Sequence, residues 1–175
     1  MPYAVSLSSW ISPRTVKGKS SSIHGLGFFA VAPLRRKELV GIKGGHIIDK
    51  ATVYAHAAII RNSESQISED LFIAPLTEDE FLESMMFMNH SCNPNCVIIG
   101  DTLTIAWRDI AAGEELTFDY TTLQDSGLQS FVCSCGSLAC RGRVAADDWK
   151  IPELQQKYGD YFTPYLLGKI RATKN

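Results

Sequence analysis

Short apolar runs, four or five residues long and broken by glycine or proline, set the pattern of this chain. Residues 28–32 (Phe-Phe-Ala-Val-Ala) read as a buried strand, with a turn over residues 33–37. Residues 38–42 and 46–48 are apolar on either side of Gly44-Gly45, which predicts a strand pair. The apolar spacing of residues 52–61 fits a helix capped by Thr52. Residues 71–74 form a further short strand. Residues 82–88 fit a helix or a buried strand equally well. Residues 96–99 and 103–107 flank Gly100-Asp101, a hairpin signal. A turn at residues 111–113 leads to a strand over 116–120, then to a polar linker over 123–130. Helices are expected over residues 152–158, with Pro152 in the first turn, and over 164–170. Residues 1–22 are polar and serine-rich, a loose lead-in with at most one short strand. Many short strands and few helices predict an α+β, mostly β architecture.

Composition narrows the class. A length of 175 residues suits one domain with a small appendage, and 45% hydrophobic content is enough for a core. The net charge of −2 gives no global attraction to nucleic acid or anionic membrane. No apolar run is long enough for a transmembrane helix, and the first residues lack a signal-peptide pattern. A folded protein of a reducing intracellular compartment, cytoplasm or nucleus, is the expectation.

Cysteine usage points the same way. Three of the five cysteines, Cys133, Cys135 and Cys140, crowd into eight residues. A disulfide framework would strand at least one thiol. Thiolates around a tetrahedral zinc ion fit better.

Charge is distributed unevenly. No Lys or Arg occurs from Asn62 to Trp107, while Glu64, Glu69, Asp70, Glu78, Asp79, Glu80, Glu83 and Asp101 do. This is either a solvated acidic face or a surface that steers a basic peptide.

The densest chemistry lies in Asn89-His90-Ser91-Cys92-Asn93-Pro94-Asn95, followed by Gly113-Glu114-Glu115-Leu116-Thr117-Phe118-Asp119-Tyr120. Amide, imidazole, hydroxyl and thiol stand in adjacent positions. These two segments closely resemble the signatures of SET-domain protein lysine methyltransferases. The glycine turn within residues 22–30 and the cluster Cys133-x-Cys135-x4-Cys140 resemble the family's opening turn and its post-SET cysteines. All four occur in the family's order, so the resemblance spans about residues 18–143.

The resemblance implies methyl transfer from S-adenosylmethionine to a lysine in a basic segment of a protein substrate, with no direct nucleic-acid or membrane partner. It implies a fold of several small sheets with a threaded crossing and a C-terminal helical tail. Tyr120 would be the central catalytic residue and Phe118 would line the lysine channel, its missing hydroxyl leaning the product toward di- or trimethylation. His24, Gly25, Leu26, Gly27, Asn89 and His90 would seat the cofactor. Leu138 or Trp149 would cover the adenine. Cys92 would join Cys133, Cys135 and Cys140 on zinc, leaving Cys96, the rival ligand, as a buried thiol. Such chemistry suits an apolar channel. Deprotonating a free lysine at pH 7 costs roughly 4–5 kcal/mol, and desolvation lowers that cost.

The boundaries expected are a SET domain over residues 1–125 with an insert at about 50–82, a zinc segment over 126–144 and a tail over 145–175. Three positions depart from the family pattern. Ile42 replaces an aromatic, Gly45 an acid and Met86 an arginine. Two other uses stay open from the residues: a non-catalytic peptide-binding module and a zinc-stabilised scaffold.

Overall fold

In a computed structural model, residues 8–84, 86–125 and 130–173 are described. The described residues form five small sheets with helices at the insert and the C-terminus. Strands β2 (Thr15–Ser20) and β3 (Leu26–Ala30) form a hairpin around the Gly25 turn. Strands β1 (Trp10–Ile11), β4 (Leu39–Ile42), β9 (Cys96–Ile99) and β10 (Leu103–Ala106) form a sheet in the order β1-β4-β10-β9. Strands β5 (His46–Asp49), β6 (Ser65–Gln66) and β7 (Leu71–Ala74) form a second, ordered β5-β7-β6. The two signature segments meet as a parallel pair, β8 (Asn89–His90) with β11 (Thr117–Phe118). Strands β12 (Phe131–Val132) and β13 (Arg143–Val144) bracket the cysteine cluster.

Several local expectations are corrected. The lead-in supplies two strands, β1 and β2, rather than at most one. The two apolar runs around Gly44-Gly45 do not pair with each other. Strand β4 joins β1 and β10, whereas β5 joins β7. Between them, Gly45 has φ +140° and no room for a side chain. A Cβ there would stand 3.0 Å from Ile73 and 3.1 Å from the Ala74 carbonyl.

The helix expected over residues 52–61 splits into α1 (Lys50–Ala55) and α2 (Ala57–Ile60) at His56. Its cap is Asp49, whose carboxylate accepts the Thr52 N–H at 2.8 Å. Thr52 is therefore inside the first turn, not the cap. Of the run 82–88, residues 82–84 end α3 (Glu78–Ser84) and residues 86–88 lead into β8. The strand expected over 116–120 stops at Phe118, and residues Tyr120–Thr122 form a 3-10 turn. Part of the linker, residues 126–129, lies outside the described residues.

Strand alternation divides the packing. Cys96 and Ile98 on β9 face a central core with Phe28, Leu34, Val40 and Leu116. Val97 faces the other way, onto Trp149, Tyr158, Phe162 and Leu166. The latter come from helices α4 (Pro152–Tyr158) and α5 (Pro164–Ala172), the turn before them and, for Phe162, the link between them. Each such side chain contributes on the order of 1.5–3 kcal/mol when buried. The C-terminal helices are thus an integral layer. The insert has its own small core of Ile48, Val53, Ile60 and Phe72.

Candidate active site

The parallel pairing of β8 with β11 places His90 opposite Phe118, and Tyr120 follows at once. Phe118 is buried, and its ring lies 4.9 Å from that of Tyr120. The Tyr120 hydroxyl donates to the Met88 carbonyl at 2.8 Å. Burial, reinforced by the Glu115 carboxylate, pushes the phenol pKa well up, so the hydroxyl keeps its proton at neutral pH.

Two cavities meet at this tyrosine. One, of about 620 Å³, lies between the Gly25 turn, β8 and β12. The other, of about 70 Å³, lies between Lys43, the β9–β10 hairpin and residues 62–65. Both are lined by Asn62, Phe87, Met88 and Tyr120. Asn62 (φ +61°) and Phe87 (φ +58°) hold left-handed backbone conformations at this junction. Such backbone costs free energy in a non-glycine residue and concentrates at functional sites.

The larger cleft is built from distant parts of the chain. His24, Gly25 and Leu26 form one wall, and Asn89 and His90 another. Asn89 Nδ2 lies 3.0 Å from the carbonyls of His24 and Leu26 and 2.7 Å from Glu115 Oε1. Its amide nitrogen therefore clamps the glycine turn and is already engaged. Glu115 also accepts the Ser21 hydroxyl at 2.8 Å. Gly27 sits behind this clamp, where a Cβ would stand 2.6 Å from Glu115 Oε1.

The third wall comes from the cysteine segment. Phe131 packs edge-on against His90, with centroids 5.4 Å apart, and lies 5.8 Å from Tyr120. Ser134 donates to the Ile23 carbonyl at 3.2 Å, joining that segment to the glycine turn. The structure does not bring Leu138 or Trp149 to the cleft. Leu138 is fully exposed, and Trp149 is buried in the C-terminal core. The cysteine segment instead lines the cleft with Phe131, two residues before Cys133, a position the cysteine spacing does not single out.

The thiols of Cys92, Cys133, Cys135 and Cys140 converge, with all four sulfurs within 4.8 Å of one another. Cys92 Sγ and Cys133 Sγ are 3.8 Å apart. That is far beyond a disulfide bond, and it matches the edge of about 3.8 Å of a tetrahedron with zinc–sulfur bonds of about 2.3 Å. The donor set and its spacing fit zinc. Cys96 lies apart in the central core, and burial pushes its thiol pKa far up.

A buried polar network ties this cluster to the tyrosine. Asp119 accepts two hydrogen bonds from the Arg141 guanidinium, at 2.6 and 2.9 Å, and one from the Tyr158 hydroxyl at 2.9 Å. Burial works against its ionisation, but Arg141 outweighs burial and holds the carboxyl below its ordinary pKa. The Arg141 backbone N–H points at Cys92 Sγ, 3.3 Å away. Lys157 on α4 donates to the Cys92 carbonyl at 2.7 Å.

The acidic stretch is less open than its sequence implies. Glu78 pairs with Arg61, Glu80 with His46 at 3.0 Å and Glu69 with Lys169 at 3.7 Å. Glu64 is buried on the smaller cavity. The partners lie outside the stretch, so charge spacing alone could not reveal them. Among the described residues, no helix is long and apolar enough to cross a membrane.

Several small sheets, a parallel pair of signature strands and a cleft closed by a cysteine cluster define the class. The SET domain family matches residues 25–121, and the chain belongs to that family. It is 31% identical over 162 residues, 85% of its length, to a human histone-lysine N-methyltransferase named as H3 lysine-36 specific. It is 28% identical over 142 residues, 74% of its length, to an H3 lysine-4 specific enzyme of Yarrowia lipolytica. It is 30% identical over 135 residues, 70% of its length, to another so named from Schizosaccharomyces pombe. The chain spans only 6%, 12% and 14% of the length of these three relatives, respectively.

Proposed function

We propose that the chain is an S-adenosylmethionine-dependent protein-lysine N-methyltransferase. The observation that carries this reading is the meeting of two cavities at Tyr120, Met88 and Phe87. A bound cofactor and a substrate amine can then approach from opposite sides and react without bulk water between them.

The larger cleft fits S-adenosylmethionine in size and character. Its volume of about 620 Å³ is within the ordinary range for ligand pockets of about 300–1,000 Å³. It combines a polar wall of Asn89 and the glycine turn with an aromatic wall of Phe131 and Phe87. S-adenosylmethionine, when bound, would supply an electrophilic methyl group on a sulfonium. The residues given to its seat are His24, Gly25, Leu26, Asn89, His90 and Phe131, with Gly27 allowing the turn to close.

Tyr120 orients the substrate amine through its hydroxyl and the Met88 carbonyl beside it. Its phenol is protonated, so it serves as a positioning and electrostatic group, not as the base. The aromatic, desolvated surroundings favour the neutral amine. Phe118 borders the same space without a hydroxyl, which leaves room for added methyls and supports di- or trimethylation. The four-thiolate cluster, with zinc, holds Phe131 against the cleft.

The substrate in this reading is a protein, with a histone-like basic segment as the model suggested by the relatives' names. Five free thiols suit a reducing compartment, cytoplasm or nucleus. Calorimetry with S-adenosylmethionine, followed by turnover on basic peptides, tests the proposal. Micromolar binding with methyl-lysine formation supports it. Binding without turnover points to a non-catalytic module, and zinc without cofactor affinity to a scaffold.

A further inference from the structure

Beside the space given to the target amine, the smaller cavity is lined by side chains that methyl transfer does not use. Glu64 lines it and is only 2% exposed. Its Oε1 lies 3.5 Å from Gln124 Nε2, a marginal contact, and its Oε2 has no hydrogen-bond partner. Ser63 Oγ and Asp101 Oδ1, on the same cavity, are also buried and without partners. Three orphaned oxygens around one small space are unusual, because a buried acceptor without a donor is costly. A donor from outside the chain, water or a substrate group, would satisfy them.

Position separates this donor from the reacting amine. Glu64, Ser63 and Asp101 line the smaller cavity only and are absent from the junction shared with the cofactor cleft. A substrate group held by them would stand apart from that junction. We infer that Glu64, with Ser63 and Asp101, forms a specificity subsite for a cationic side chain, arginine or lysine, flanking the target lysine in the substrate. This inference rests on the methyltransferase reading and deepens it.

The cavity also carries a counterweight. Lys43 lines it too, and its charge reaches Glu64 without any ion pair between them among the described residues. Burial raises the Glu64 pKa and lowers that of Lys43 to about 8. Both groups are thus poorly solvated, and an incoming cation stabilises the Glu64 carboxylate while it opposes a charged Lys43. The two residues should therefore act on a basic flank with opposite signs. A packing role for either would not produce that pattern.

The test uses lysine-acceptor peptides with a single arginine or norleucine scanned through the flanking positions. Fluorescence anisotropy measures their binding to the zinc-loaded chain, and S-adenosylmethionine affinity serves as the control for folding. At one flanking position the arginine peptide should bind about tenfold more tightly than the norleucine peptide, as expected for a charge-assisted hydrogen bond. Glu64→Gln should remove most of that preference, and Lys43→Met should enlarge it. Should Glu64→Gln lose cofactor affinity through misfolding, the sign of the Lys43→Met effect decides alone. Equal binding of both peptides at every position, absence of peptide binding, or a Lys43→Met variant that loses the preference overturns the inference. Peptide binding without methyl transfer contradicts the methyltransferase reading instead, and the anisotropy ratio still decides the role of Glu64.

Discussion

Tyr120 donates its backbone N–H to Nδ1 of His90 at 3.2 Å, and the other nitrogen of that ring lies 3.3 Å from Cys92 Sγ. Nδ1 must then be unprotonated, which places the proton on Nε2, facing the sulfur. Burial lowers the ring's pKa to about 4, in keeping with a neutral imidazole. The tyrosine at the cavity junction and the cysteine cluster are thus joined through one side chain.

This linkage predicts how thiol substitutions differ. Cys92→Ser should lower zinc content far more than Cys96→Ser, and methyl transfer should fall with the zinc. Metal analysis of the purified variants, beside their turnover, checks this. Greater zinc loss from Cys96→Ser would reverse the ligand assignment.

Phe118→Tyr should shift the product toward monomethyl-lysine. Phe118 stacks 4.9 Å from Tyr120 and lines the smaller cavity, so an added hydroxyl enters space needed by a methylated amine. Mass spectrometry of the product distribution reads the effect. An unchanged distribution removes Phe118 from the channel.

Gly27→Ala should weaken S-adenosylmethionine binding by about tenfold and cost about 1–3 kcal/mol of stability through overpacking. The new methyl would collide with Glu115 Oε1 and disturb the clamp on Asn89. Calorimetry and denaturant unfolding measure the two effects. Wild-type cofactor affinity in this variant would show that the clamp does not shape the cleft.

Asp119→Asn should destabilise the chain by about 1–3 kcal/mol, because it removes one of the two carboxylates beside the Arg141 guanidinium, Asp148 remaining at 3.2 Å. Urea unfolding reads this directly. A loss below about 1 kcal/mol would mean that solvent replaces the carboxylate.

Much of this site was legible in the chain because its chemistry is local. Asn89, His90, Cys92, Phe118 and Tyr120 fall in two contiguous segments, and strands β8 and β11 bring those segments side by side. The converging thiols of Cys133, Cys135 and Cys140 were legible from their spacing. Phe131, Glu115 and Arg141 were not, since each acts through a partner remote in sequence. The role of Glu64 was hidden for the same reason. It read as one of eight acids on a face, and only the fold shows it buried. The pairing of residues 38–42 with 46–48 failed because local pattern predicts strands but not partners. The two runs lie in different sheets, on either side of the tightly packed Gly45.

The most direct measurement is transfer of labelled methyl from S-adenosylmethionine into a whole-cell lysate, with mass spectrometry of the modified sites. The zinc-loaded wild type should label proteins at lysine Nε. Tyr120→Phe should keep its cofactor affinity and lose at least about tenfold in rate, as expected for removing a hydroxyl that acts in the transition state. No lysine labelling by wild type, or equal labelling by Tyr120→Phe, would contradict the account.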